Sequence, residues 1–291
     1  MRIKRYLKNF IHNMKYILTR DLYREDAEKL LQNLQVSQWN IKDKFETGLK
    51  IFDEEETLDV LLEKPMSFCR FGDGEVDLME GKSIPFQTYD KKLADIFKEI
   101  LSQKQDDLYV GINFYYFHTL EKFDKVNGDY YRLYSPYFGK FFSCLCNRET
   151  QYIDAGFNSV YYAHENQNLE EHYRKIKTLF KGRKLVVFSG EGVITKLPYN
   201  VFDEAESIEY EFGPSQNSFE KFDELLERAQ KYDKSKILCF VLGPTSKALV
   251  YKLTQKGYMS WDIGHMCKDY NAYMMNADRT PENIADFFAP D

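Results

Sequence analysis

Ile237-Leu238-Cys239-Phe240-Val241-Leu242-Gly243-Pro244-Thr245-Ser246-Lys247 is the stretch that decides the fold. Six apolar residues in a row leave no polar face, which predicts a strand buried on both sides. Gly243-Pro244 ends it, and a helix is predicted over 245–256. Leu185-Val186-Val187-Phe188-Ser189 reads the same way and stops at Gly190-Glu191-Gly192. Further strands are predicted at 66–70, Leu108–Ile112, Ser207–Phe212 and Tyr258–Ile263, with one near Ser159–Tyr162. Helices are predicted over 57–64, 91–103, 136–147, 168–180 and 218–231. The last opens on Asn217 and Glu220, which resemble a capping box. Strands alternating with helices predict an α/β, Rossmann-like, mostly parallel sheet with helices on both faces. In such sheets ligands bind beyond the carboxyl ends of the strands. The turns at 71–75, 189–192, 243–246 and 264–269 all follow strands and therefore gather along one edge.

Composition fits that architecture. Hydrophobic residues make up 43% of the 291, enough to bury a core. The chain divides into an N-terminal basic amphipathic extension and connector, 1–56, and an α/β domain, 57–291. The net charge is −6 overall, yet residues 1–24 carry seven Lys and Arg against Asp21 alone. An acidic body with its basic patch at one end argues against nucleic acid as a partner. Within 1–24, Ile3, Leu7, Phe10, Ile11, Met14, Ile17 and Leu18 share one helical face. Three readings stay open there: a helix lying on an anionic membrane surface, a heptad seam, and docking onto the protein's own body. The five cysteines have no framework spacing, and no signal peptide is recognised, so a cytoplasmic protein with reduced thiols is expected, with peripheral contact to the inner face of the membrane left open. No run approaches a membrane span. A homo-oligomer is also left open.

Arg70-Phe71-Gly72-Asp73-Gly74-Glu75 follows the strand predicted at 66–70. Alternate residues of an extended turn put Asp73 and Glu75 on the same side, and the glycine lets the backbone approach a ligand. Hard oxygen donors suit Mg²⁺ or Mn²⁺ shared with phosphates, and Arg70 is close enough to contact the same phosphates. The competing reading is a surface turn, for which Asp-Gly is a common signal. A calcium loop fails, because its sixth position is Leu78 and its twelfth Ile84. Gly243-Pro244-Thr245 opens a helix whose amides favour an anion, or is an ordinary capped turn. Neither it nor Gly190-Glu191-Gly192 has the spacing of a P-loop or a dinucleotide fingerprint. His265 offers a base or a phosphate ligand, with Asp269 four residues on; a lone histidine is more often structural.

These segments together resemble a bacterial family first defined as a domain of unknown function and now regarded as glycosyltransferases of the GT-D fold. The resemblance runs from about 60 to about 275. It rests on Arg70–Glu75, Ile84-Pro85-Phe86-Gln87-Thr88-Tyr89-Asp90, Glu191-Gly192, Asn200-Val201-Phe202-Asp203, Pro214-Ser215-Gln216-Asn217, Gly243-Pro244-Thr245 and Asp262-Ile263-Gly264-His265, in that order. It implies transfer of a hexose from a UDP-sugar, with Mn²⁺ or Mg²⁺ and the diphosphate held at Asp73 and Glu75, beside Arg70 and Gly72. It further implies a nucleotide pocket from Glu191, Gly192, Ser215, Asn217, Gly243, Pro244 and Thr245, and places His265 and Asp269 near the reacting sugar. The expected acceptor is a surface glycan, on a glycoprotein or lipid-linked. After His265 the chain departs from the family's acidic, aromatic run: Cys267 and Asn271 replace acids and Asp269 stands for Glu. A metal-dependent phosphohydrolase of nucleotide sugars and a non-catalytic nucleotide-sugar-binding protein are the alternatives.

Overall fold

The computed structural model describes residues 48–118, 125–164 and 168–288. The amphipathic stretch read over 1–24 lies outside them. The described chain runs β1 (Lys50–Ile51), α1 (Glu54–Glu63), β2 (Ser67–Phe71), α2 (Asp73–Met79), α3 (Lys91–Ser102), β3 (Leu108–Ile112), α4 (Lys125–Leu145), β4 (Gln151–Asp154), α5 (Val160–Ala163), α6 (Leu169–Phe180), β5 (Lys184–Gly190), β6 (Ser207–Gly213), α7 (Phe222–Ala229), β7 (Ile237–Val241), α8 (Thr245–Thr254), β8 (Ser260–Asp262), α9 (Met266–Met274) and α10 (Pro281–Phe288).

The strands form one sheet in the order β1-β4-β3-β2-β8-β7-β5-β6, and every pairing is parallel. Alternate residues of the central strands feed two cores. Val186 and Phe188 of β5 and Leu238 and Phe240 of β7 point to one face, under α3, α4, α7 and α8. Leu185, Val187, Ile237 and Cys239 point to the other, under α1, α6, α9 and α10. Each fully buried Leu, Val or Phe contributes roughly 1.5–3 kcal/mol. Two-sided burial is why these strands read as unbroken apolar runs. Because all strands run the same way, the turns after β2, β5, β7 and β8 do share one edge.

Two elements depart from the sequence reading. Ser159–Tyr162 is not a strand: Val160–Ala163 is a short helix, and the strand beside it in sequence is Gln151–Asp154. Its β-branched and aromatic residues favour a strand by propensity. The buried carboxylate of Asp269, from α9, overrides this by accepting the Tyr161 amide at 3.2 Å from both oxygens. The second departure is at Asn217, which forms no capping box. It sits in the left-handed region (φ 52°) before a 3₁₀ turn, Ser218–Lys221. Its side chain instead accepts the Thr88 amide at 2.7 Å, and its own amide donates to Phe86 O at 2.9 Å, tying the 84–90 loop to the end of β6.

Candidate functional site

The Asp73-Gly74-Glu75 segment is helical, which corrects the extended turn read from sequence. Gly72 is the N-cap of α2, and Asp73 and Glu75 occupy its first turn. Two residues apart on a helix means about 200° of rotation, so the two carboxylates diverge. Glu75 turns inward: Oε2 accepts the Gly72 amide at 2.8 Å, and Oε1 lies 2.9 Å from Lys247 Nζ. Asp73 turns to open space, where Oδ1 accepts the Gly74 amide (2.9 Å) and Oδ2 accepts the Tyr130 hydroxyl (2.7 Å).

Behind the motif lies a network of two cations and two anions. Arg70 and Lys247 share Asp262, at 3.3 and 3.4 Å, and Lys247 also holds Glu75. Burial works against the Lys247 charge, but Asp262 and Glu75 outweigh it and hold its pKa above the ordinary value. The Arg70 guanidinium is engaged throughout: Nε donates to Asp262 O (2.9 Å), and Nη1 donates to Ala155 O (3.0 Å) and Asn158 Oδ1 (2.8 Å). Arg70 therefore fixes β2 against β8 and the loop after β4, rather than presenting idle donors to a phosphate. Gly264 makes room for it. At φ +45° its missing Cβ would stand 1.9 Å from Arg70 Nη2.

A cavity of about 910 Å³ opens at the carboxyl edge of the sheet. Of the residues read from sequence, Arg70, Gly72, Asp73, Glu75, Ser215, Gly243, Pro244 and His265 line it. Glu191, Gly192, Asn217, Thr245 and Asp269 are not among its lining residues. Gly190 takes the place expected of Glu191 and Gly192: its backbone packs so closely on Ser215 that a Cβ would come within 2.8 Å of the Ser215 Cβ. Thr245 is fully buried. The His265 ring stands 6.2 Å from Phe86 and 5.2 Å from Phe287, between cavity wall and α10. Asp269 is fully buried, and accepts from the Tyr173 hydroxyl (2.6 Å) as well as the Tyr161 amide. Burial pushes its pKa up to about 7 against those hydrogen bonds. The structure gives Asp269 a fold-capping place, with Cys267 and Lys268 of the same helix lining the cavity in its stead.

Sequence reasoning quoted Lys247 and Asp262 within its motifs without giving them a role, and missed Tyr130 and Asp154 as cavity residues. A lysine in the first turn after a buried strand, and an aspartate closing β8, were available signals for the first two. Tyr130 and Asp154 had none, since a four-residue β4 and an aromatic α4 carry little pattern.

The donor set fits a divalent cation in part. Among the described residues no three His, Cys, Asp or Glu side chains are grouped to hold an ion. Mg²⁺-type sites commonly use one or two carboxylates and complete the shell with phosphate and water. Asp73 suits that role: it is open to the cavity, yet walled in by protein. The surrounding protein raises its pKa, against the Tyr130 and Gly74 hydrogen bonds. Glu75, held by Lys247 and the Gly72 amide, fits as a support beside it.

The chain matches known proteins over most of its length. A family model described as glycosyltransferase GT-D fold matches residues 68–284. The glycosyltransferase GlyD of Streptococcus pneumoniae serotype 4 is 30% identical over 258 residues, 87% of this chain and 31% of that protein. The probable glycosyl transferase Gly of Streptococcus gordonii is 28% identical over 80% of this chain and 34% of its own. The chain thus spans about a third of the length of these curated relatives. A solved glycosyltransferase from Streptococcus sanguinis, 28% identical, superposes with a TM-score of 0.74 over 83% of this chain and 94% of its own. A second structure, of a highly conserved domain of unknown function with a distinct glycosyltransferase fold, is 26% identical with a TM-score of 0.74 over 90% and 95%.

Proposed function

The chain belongs to the glycosyltransferases of the GT-D fold, and from that premise we propose that it moves a hexose from a UDP-sugar to a surface-glycan hydroxyl, glycoprotein or lipid-linked, with Mn²⁺ or Mg²⁺ at Asp73. The observation that carries the metal and diphosphate reading is Asp73 itself, a carboxylate open to a deep cavity whose hydrogen bonds among the described residues come from the Gly74 amide and the Tyr130 hydroxyl.

In this reading Asp73 holds the cation, and Tyr130 fixes the carboxylate's rotation through its hydroxyl. Glu75 is a positioning residue: its bonds to Gly72 and Lys247 set the first turn of α2, and so the direction Asp73 faces. Bound there, the metal supplies charge neutralisation for the departing UDP. Gly190, Ser215, Gly243 and Pro244 give a wall of small residues to the nucleotide, and Phe86, tied down through Asn217, adds an aromatic face. Arg70, Lys247 and Asp262 keep the edge rigid, so that little reorganisation accompanies the reaction. We also place residues 1–24 at the inner face of the membrane as a peripheral contact; liposome flotation of the full chain beside one lacking 1–24 tests this, and equal flotation removes the idea.

A screen of UDP-sugars for Mn²⁺-dependent UDP release tests the function. Wild type is expected to turn over at least one sugar, and Asp73→Asn to lose 10²-fold or more while remaining folded. No metal-dependent release from any UDP-sugar, or an Asp73→Asn enzyme as active as wild type, refutes it.

A further inference from the structure

The donor reading leaves half of the cavity unused. Gly190 ends β5, and Ser215 and Gly243 follow β6 and β7, all on one side of β2 in the sheet. On the other side lie β3 and β4. Their carboxyl ends bring Asn113, Tyr115 and Asp154 to the same cavity, α4 adds Tyr131, and His164 follows α5. The register runs Phe71 to Ile112 to Asp154, straight across three strands. Asp154 is therefore two strand spacings, roughly 9.6 Å, from the strand that launches the Asp73 motif.

Asp154 is 1% exposed. Oδ1 accepts the Phe114 amide at 2.9 Å, while Oδ2, beside Gly156, has no hydrogen-bond partner among the described residues. Buried polar atoms are nearly always satisfied, so an oxygen on a cavity-lining aspartate that has the Gly156 amide nearby but no bond of normal geometry points to a donor that arrives with a ligand. Its surroundings are acidic and aromatic. Glu54 and Asp53 approach from the start of α1, and Tyr115 donates to Glu54 Oε2 at 2.9 Å. His164 Nδ1 lies 3.6 Å from Glu54 Oε1, and Tyr131 accepts from Asn113 Nδ2 at 2.6 Å. Tyrosine faces and a hydrogen-bonding amide suit the apolar face and hydroxyls of a pyranose.

Resting on the glycosyl-transfer reading above, we propose that the β3–β4 half of the cavity is the acceptor subsite and that Asp154 Oδ2 is the general base for the attacking hydroxyl. The acceptor O–H bond breaks and its proton passes to Oδ2. The acceptor oxygen bonds to the anomeric carbon, whose bond to the phosphate oxygen breaks, and that electron pair leaves with UDP. Solvent then takes the proton from Asp154. Burial, then Glu54 and Asp53, lift the Asp154 pKa to about 7 against the Phe114 and Gly156 amides, which suits proton transfer near neutrality.

The test uses the full chain, Mn²⁺, the UDP-sugar that wild type turns over, and either water or p-nitrophenyl β-glucoside as acceptor. Asp154→Asn keeps an oxygen for the Phe114 amide. It is expected to lower kcat by about 10²–10⁴-fold, with the donor Kd by calorimetry within twofold of wild type. The acid limb of the wild-type pH profile is expected to vanish in the variant. A kcat within threefold of wild type overturns the proposal, and so does donor affinity falling in step with kcat, because that marks a structural role. Should wild type turn over no UDP-sugar, the donor reading itself has failed, a result distinct from either of these.

Discussion

Replacing Lys247 by Met tests the network beneath the site most directly. Its ammonium is 2.9 Å from Glu75 and 3.4 Å from Asp262, and the three side chains are 8%, 11% and 1% exposed. At an effective dielectric near 20, each contact is worth roughly 5–6 kcal/mol of attraction. Desolvation of the ions cancels most of that. The variant does not recover the desolvation cost, because it leaves two carboxylates buried with Arg70 as their remaining cation. The expected loss is about 3–5 kcal/mol. Met fills a volume similar to the lysine stem, so the loss is electrostatic rather than a cavity effect. Adding Glu75→Gln removes one stranded charge, and the double variant should regain roughly 2 kcal/mol relative to additivity. Urea unfolding, followed by the fluorescence of Trp261 on the same strand as Asp262, reads both numbers. A Lys247→Met loss below about 1 kcal/mol, or two substitutions additive within about 0.5 kcal/mol, would refute the claim that these charges act as one unit.

Three further outcomes are expected. Gly264→Ala drives a Cβ into the Arg70 guanidinium, so it should cost about 2–4 kcal/mol and weaken UDP-sugar binding, read by thermal unfolding and calorimetry; a variant as stable as wild type contradicts the packing. Asn217→Ala removes the acceptor of the Thr88 amide, about 1 kcal/mol. Through the loosened Phe86 loop it should raise the donor KM more than it lowers kcat, and an unchanged KM would detach that loop from the nucleotide. Asp269 has a folded pKa near 7 against 3.8 unfolded, so the native state keeps a proton that the unfolded chain releases. Its contribution is present below pH 4 and is lost as pH rises through 7, a swing on the order of 4 kcal/mol. Asp269→Asn should flatten the stability-versus-pH curve between pH 5 and 7; an equal slope in the two proteins would show that Asp269 is not the group responsible.

Much of the sheet was legible because burial on both faces leaves a local trace. Leu185–Phe188 and Ile237–Leu242 have no polar residue to turn toward water, and such runs become interior parallel strands. The direction of those strands then fixed the edge where the site forms. The four-residue β4 was too short to register, and Val160–Ala163 was misread because its N-terminus is held by an aspartate more than a hundred residues away.

The sequence by itself determined the α/β architecture and the carboxyl edge where the cavity opens, and it pointed to Asp73 and Glu75 there as a pair. Tertiary structure alone decided how the charges are divided. It turned Glu75 inward onto Lys247, gave every side of Arg70 a partner up to 192 residues away, buried Asp269 under α5, and brought Asp154 to the cavity. Hydrophobic periodicity records which face of an element is buried, and that is local. Which charges meet depends on strand order, and in a sheet ordered β1-β4-β3-β2-β8-β7-β5-β6 it is the crossover that sets β2 beside β8 that brings Arg70 to Asp262, 192 residues away.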